Sequence, residues 1–350
     1  MNAMKLGVNL FIRKMDELSQ AESMAWDDLH AAESDLNLAF LSRTYISQIV
    51  YLNPGVRILV GYDNSEPVFF LPIQPRHGFV SRFRVFEPAG DVMTDYFGAV
   101  AKRGVELSPP HLLAATRGRI NAILFTHLDR TQARLGLDGD EHRTGLRTRL
   151  GVPGADYWAR LRHIDKKIVA DTERREKKLQ NEIGPLRFEW QSSSPDVDMA
   201  WLIETKRAQY SRTGKTHAAL FKNVYVELLA RLLRTREVEC SGILSVLRCG
   251  EQIVAAHFGL KCRGVLHVWF PAYDKRFASY SPGRILLKHM FAAAPEEGVD
   301  VFDRGEGDSQ AKRDFANEEH QYARGLWLAP GLRGLTARLA ISIAWRVGKA

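Results

Sequence analysis

The residues best suited to chemistry lie in the second half of the 350-residue chain. Ser281-Pro282-Gly283-Arg284 has the makings of a helix start. A serine there can accept from first-turn amides, and a proline fits the first helical position. A glycine lets the backbone approach an anion held at the positive end of the helix dipole. Arg284 and Lys288 add charge to that end. An ordinary capped helix carries the same signature. His257 stands in the apolar run Ile253–Leu260. Imidazole suits proton transfer near neutral pH, although a histidine in such a run equally serves as a satisfied core residue. Tyr273 and Asp303 follow or close two further strand-like runs, and strand ends of open sheets face clefts. Lys206 and Tyr210 are four residues apart, so they share one helix face and can offer donors to a sugar or phosphate, with Gln209 beside them. Lys312 can pair with Asp303 or meet an anionic ligand. His217 and Trp269 are further candidates.

These residues need strands and helices to hold them. Val56–Gly61 and Pro67–Ile73 flank a polar turn and predict a hairpin. Ala21–His30 and Leu41–Tyr51 have helical spacing. Pro109–Arg117 can open a helix, and Ile120–His127 reads as a buried strand. Residues 155–182 are basic: eight Lys or Arg stand against four acids between Arg160 and Lys178. A sparse apolar stripe and a stop at Gly184-Pro185 predict one long amphipathic helix. It is either a solvated connector or a polyanion-facing surface. Beyond it come a strand at Leu186–Trp190 and helices at Asp198–Tyr210 and Leu220–Arg234. Three closely spaced strands follow at Gly242–Leu247, Ile253–Leu260 and Val265–Phe270. A helix at Ile285–Ala294 and a strand at Val299–Asp303 come next, and Tyr322–Leu328 closes the second sheet. This is an α/β (α+β) pattern with an antiparallel meander at its centre. Residues 331–350 predict an amphipathic helix that packs on the first half or lies on a membrane surface.

Composition narrows the field. Apolar residues make up 45% and charged residues 26%, so disordered and fibrous classes are excluded. Three cysteines without CxxC spacing make neither a zinc site nor a disulfide framework, and a reducing, cytoplasmic compartment is expected. The start lacks a signal-peptide pattern, and no uninterrupted apolar run of about 18 residues exists. A net charge of +8 favours anionic partners. No GxSxG, HExxH or Walker motif is present, and no metal is expected.

The second half resembles a GNAT acyltransferase, specifically the CelD/BcsL-like (BioF2-like) family linked to polysaccharide biosynthesis. Lys206 through Gln209-Tyr210 to Thr213-Gly214 is similar to the family's K-x-x-Q-Y-x-x-T-G segment. Ala255-Ala256-His257-Phe258-Gly259 matches its second central strand. Tyr273-Asp274, Ser281-Pro282-Gly283 and Leu286-Leu287 match "YD…SPG…LL", and Asp303, Gly305 and Lys312 its last segment. Arg304 and Ala311 depart from the aromatic and the Tyr usual there. The family is related to FemX-type aminoacyltransferases, which carry two GNAT-like domains. The resemblance therefore implies tandem GNAT-like domains, each with a mixed, mostly antiparallel sheet flanked by helices. Residues 1–154 would be a degenerate copy, 155–185 a basic connector helix, 186–330 the active copy and 331–350 the amphipathic helix. It implies acetyl-CoA or another acyl-CoA as co-substrate, with its pyrophosphate on Ser281, Pro282, Gly283 and Arg284. Direct transfer to a sugar or glycan acceptor would use His257, Tyr273, Asp303 and Lys312 as catalytic residues. Lys206, Gln209, Tyr210 and Trp269 would hold the acceptor. Two alternatives stand beside it: a FemX-like donor, aminoacyl-tRNA, or a non-catalytic accessory module. Peripheral contact with the inner face of the membrane through the last helix is a further expectation.

Overall fold

The computed structural model describes residues 4–5, 9–33, 36–151, 157–215 and 219–347. In chain order the main strands are β1 (Asn9–Arg13), β2 (Arg57–Asp63), β3 (Glu66–Pro75), β4 (Val85–Pro88), β5 (Ala122–Asp129), β6 (Glu141–Arg149), β7 (Leu186–Glu189), β8 (Cys240–Cys249), β9 (Gln252–Cys262), β10 (Val265–Tyr273), β11 (Val301–Glu306) and β12 (Glu318–Leu328). The helices are α1 (Gln20–Ala32), α2 (Arg43–Leu52), α3 (Pro109–Ala115), α4 (Tyr157–Ile164), α5 (Lys166–Ile183), α6 (Pro195–Arg212), α7 (Asn223–Arg234), α8 (Pro282–Ala293), α9 (Gln310–Arg313) and α10 (Leu332–Arg346). The fold is mixed α/β, with mostly antiparallel sheet flanked by helices.

The chain forms two compact units, residues 1–144 with 320–350, and residues 145–319. The first unit is therefore discontinuous, and its boundaries lie away from the 154 and 330 expected from sequence. β12 is the reason. Tyr322–Leu328 was expected to close the second sheet, but it pairs antiparallel with β5 of the first half, Leu328 opposite Ala122. The second unit instead takes residues 145–149 of β6, where Arg149 pairs with Val301 of β11. β6 is poor in apolar residues (EHRTGLRTR) and gave no strand signal.

In the first unit the β2–β3 hairpin forms as its pattern predicts, with Leu59 opposite Leu71. Trp26 of α1 stacks on Phe70 at 5.3 Å and fixes that helix to the sheet. α10 packs its small face, Ala337, Ala340, Ile341 and Ala344, against Val80, Val85 and Ala122.

The second unit is built on the meander β8–β9–β10, antiparallel throughout, with β7 on the outer edge of β8. β11 joins β10 in parallel. The expected connector helix is two helices. Asp165 interrupts it with its carboxylate accepting from the Ile168 amide, so it caps α5 rather than continuing α4. The core gathers Leu179 of α5, Leu247 of β8, and Leu286 and Met290 of α8.

Candidate functional site

β10 and β11 pair only from Val265–His267 against Val301–Asp303. Both strands run on past that point, β10 to Tyr273 and β11 to Glu306. The ladder therefore stops mid-strand and the two backbones part. Pro271 offers no N–H to a partner, and Gly305 takes a positive φ of 66°, a conformation that suits glycine. A cavity of about 370 Å³ opens at the gap. Val268, Pro271, Ala272 and Tyr273 of β10 form one wall, Arg304 of β11 another, and the first turn of α8 a third.

Each wall has a local cause. α8 begins at Pro282 after Ser281, which sits in the left-handed region at φ 53°, ψ 53°. The Ser281 side chain makes no capping bond, so the expected serine cap is absent. The turn is closed by backbone instead, with Arg284 N–H donating to Ser281 O at 2.9 Å. Gly283 lies in open space: a Cβ placed there meets no atom within 4 Å. An anion can approach that turn unobstructed, toward the positive end of a 12-residue helix. Arg284 lines the cavity, and its guanidinium also meets Asp171 of α5 at 3.3 Å.

α6 supplies the opposite side. Its first turn is anchored by buried Asp198, which accepts two bonds from Arg248 of β8 (2.7 and 2.6 Å) and one from Ser192. Asp198, Leu202 and Lys206 recur every four residues and turn the same face inward. Lys206 ends up 7% exposed in the cavity wall. Its ammonium donates to Gln209 Oε1 at 3.1 Å and lies 5.1 Å from the Tyr210 ring centre. Burial, with Lys215 nearby, lowers its pKa to about 8. A cation costs free energy in such a place unless a carboxylate pairs with it.

His257 lines the cavity at 1% exposure, and neither ring nitrogen has a partner among the described residues. Burial, together with the nearby His267, lowers its pKa to about 3. It is a neutral imidazole at physiological pH and a weak base, unlike the near-neutral base expected of histidine. Gly259 makes room for it, since a Cβ there would stand 2.7 Å from the His257 ring and 2.1 Å from His267 O.

Of the residues singled out from sequence, Lys206, Gln209, His257, Tyr273, Ser281, Pro282, Gly283 and Arg284 converge on this one cavity. Four do not line it. Asp303 is buried and holds Arg147 Nε at 3.0 Å and the Gly305 amide at 2.9 Å. It fixes the point where the strands part. Lys312 Nζ donates to the carbonyls of Gly305 (3.2 Å) and Glu306 (2.6 Å) and so braces the loop after β11. Tyr210 sits against the Lys206 ammonium, and Trp269 packs on Phe270 at 4.8 Å. His217 lies outside the described residues.

Arg304 was noted only as a departure from the family pattern, yet it is part of the wall. Burial lowers its pKa to about 10, so it remains a cation at pH 7, and it donates to Lys312 O at 3.0 Å. The signal for it was weak: Arg304 stands beside Asp303 in VFDRGE, where a further charge is unremarkable.

The basic stretch of α5 is engaged in part, with Lys166, Lys167 and Lys177 left exposed. Asp171 takes Arg174 and Arg175 as well as Arg284. Glu176 takes Lys288 and, at 2.7 Å, His289 of α8. Burial pushes the Glu176 carboxyl up, but these partners outweigh it and leave the pKa lowered.

Known proteins share the architecture of the chain. Residues 166–313 match the family model of the acetyltransferase (GNAT) domain. That span contains all of the cavity. No curated protein sequence matches the chain. Among solved structures, FemX is similar over 91% of this chain and 98% of its own, with a TM-score of 0.59 at 11% identity. The C-terminal domain of a lysylphosphatidylglycerol synthetase from Agrobacterium fabrum is similar over 92% and 96%, with a TM-score of 0.50 at 13% identity. At such identity these likenesses speak for the fold alone. The second unit has a GNAT-type fold.

Proposed function

We propose that the second unit transfers an acyl group from an acyl-CoA, with acetyl-CoA the first donor to test, to an amine or hydroxyl of a sugar or glycan acceptor. The observation that carries this is the gap between β10 and β11, which opens a cavity beside an unobstructed helix start and a buried lysine. The first turn of α8 holds the pyrophosphate, with the open face of Gly283 admitting it and Arg284 supplying charge. The parted strands leave room for the thioester arm. Lys206 takes the proton from the acceptor; with a pKa near 8 it has a usable deprotonated fraction at neutral pH. Transfer forms the bond from acceptor nitrogen or oxygen to the acyl carbon and breaks the carbon–sulfur bond. The released thiolate is protonated, with Tyr273, on the cavity wall, the donor. His257 stays neutral and positions the acceptor by hydrogen bonding. No covalent acyl-enzyme is required.

A tRNA-borne donor needs free cations along α5. Arg174, Arg175 and Lys178 are paired with Asp171 and Glu182, while Lys166, Lys167 and Lys177 stay exposed, so aminoacyl-tRNA is the second donor to test. Titration calorimetry with acetyl-CoA tests the reading. Micromolar binding by the wild type, abolished in Gly283→Trp with unchanged melting, supports it. No binding at millimolar acetyl-CoA refutes it. An acceptor screen over amino sugars and oligosaccharides follows.

A further inference from the structure

α10 is apolar on two opposite faces, and only one of them is used. The face built from Gly334, Ala337, Ala340, Ile341 and Ala344 is buried in the first unit. The other carries Leu332, Leu335, Leu339 and Ile343, spaced three or four residues apart and so aligned along the helix. These four are 80%, 59%, 61% and 43% exposed. Trp345, on the flank, is 58% exposed. Single exposed leucines are ordinary, but a contiguous row of them is not. At 1.5 Å per residue the row runs about 16 Å.

In the chain segments that flank the leucine row the charges have one sign, whereas Trp345, on the other side of the helix end, borders a cavity that also has Glu87, Asp91 and Glu141. From 329 to 350 the sequence has Arg333, Arg338, Arg346 and Lys349 and no acidic residue. The segment packed beside α10, residues 76–84, has Arg76, Arg82 and Arg84, again with no acid, and Phe79 is 47% exposed there. A third segment, 116–121, adds Arg117 and Arg119. The three meet at Gly118: Arg84 donates to its carbonyl, and the Arg333 guanidinium lies where a side chain on Gly118 would go.

We infer that the exposed face of α10, with its arginine border, docks the protein on an anionic lipid surface. The leucine row enters the boundary between headgroups and acyl chains. The arginines reach lipid phosphates, and Phe79 suits the same depth. The charge pattern selects this occupant. A second copy of the chain docking face to face would set arginines against arginines. A neutral apolar partner would leave them without counter-charges.

Sedimentation with vesicles tests this on the full chain. Vesicles of phosphatidylcholine alone are compared with vesicles containing about 30% phosphatidylglycerol, an anionic fraction high enough for each nearby arginine to contribute. Binding to the anionic vesicles is expected, weakened at least tenfold at 0.5 M salt. Leu335→Glu with Leu339→Glu removes it at all salt concentrations. Arg338→Gln with Arg346→Gln lowers it severalfold. All four positions face solvent, so the variants should melt with the wild type. Three results would overturn the inference: no vesicle binding, equal binding to both vesicle types, or a concentration-dependent dimer that the leucine variant makes monomeric while vesicles have no effect.

Discussion

The lysine on the cavity wall gives the sharpest test of the chemistry. If Lys206 accepts the acceptor's proton, its protonation governs the rate. With a pKa of about 8, only about a tenth is deprotonated at pH 7, half at pH 8 and about nine-tenths at pH 9. The kcat/KM for acetyl transfer should therefore rise about eight- to tenfold from pH 7 to 9, bending near 8. Lys206→Met should remove that limb and lower the rate by about 10²-fold. Folding behaves in the opposite way, and this separates the two roles. The folded pKa lies below the unfolded value of 10.5, so the buried cation costs stability below pH 8. That cost fades as pH rises from 8 to 10.5. A fall from 10.5 to about 8 corresponds to a cost of about 3 kcal/mol. The Met variant should thus melt at or above the wild type at pH 7 while being nearly inactive. The assay is a thiol-release rate on a fixed acceptor across pH 6.5–9.5, with thermal melts in the same buffers. A flat profile through pH 8, or a fully active Met variant, refutes the assignment.

Further expectations follow from other buried groups. Glu87 in the first unit is pushed up to about 7 by burial and by Asp91, against the Gln74 and Arg76 contacts. The folded state then binds the extra proton, so stability should fall by up to about 3 kcal/mol as pH rises from 4.5 through 7, and Glu87→Gln should flatten that slope in chemical denaturation. Asp303→Asn leaves the Arg147 guanidinium without its buried partner; a loss of about 3–5 kcal/mol is expected by urea unfolding, with acetyl-CoA binding weakened as the strand gap loosens. Gly259→Ala forces a Cβ against His267 O and the His257 ring, so a drop in melting temperature is expected, with acceptor KM rising more than acetyl-CoA Kd.

Local signals made much of this fold legible. The β2–β3 hairpin, the meander and the start of α8 rest on alternation, turns and proline, which are written into short stretches. The convergence of Lys206, His257, Tyr273 and the Ser281–Arg284 turn was reached through a resemblance spanning motifs far apart in sequence. What escaped was non-local or masked by stronger signals. β12 has an ordinary strand pattern, and nothing within it says that its partner lies about 200 residues upstream. Asp165 was readable as a cap, but the apolar stripe on either side suggested a continuous helix. The roles of Asp303 and Lys312 depended on Arg147 and on the carbonyls of the loop after β11, and no spacing rule names those partners.

The discontinuity of the first unit has a consequence for how the chain is made. Its sheet needs β12, which leaves the ribosome only after all of residues 145–319. At about 5–20 residues per second, those 175 residues take about 10–35 s. The second unit, contiguous in sequence, can complete itself in that interval. β5, with Ile123 and Phe125 at its centre, must wait with one edge open. Nascent chains stalled before residue 320 should therefore hold a protease-resistant second unit and a first unit that depends on chaperones.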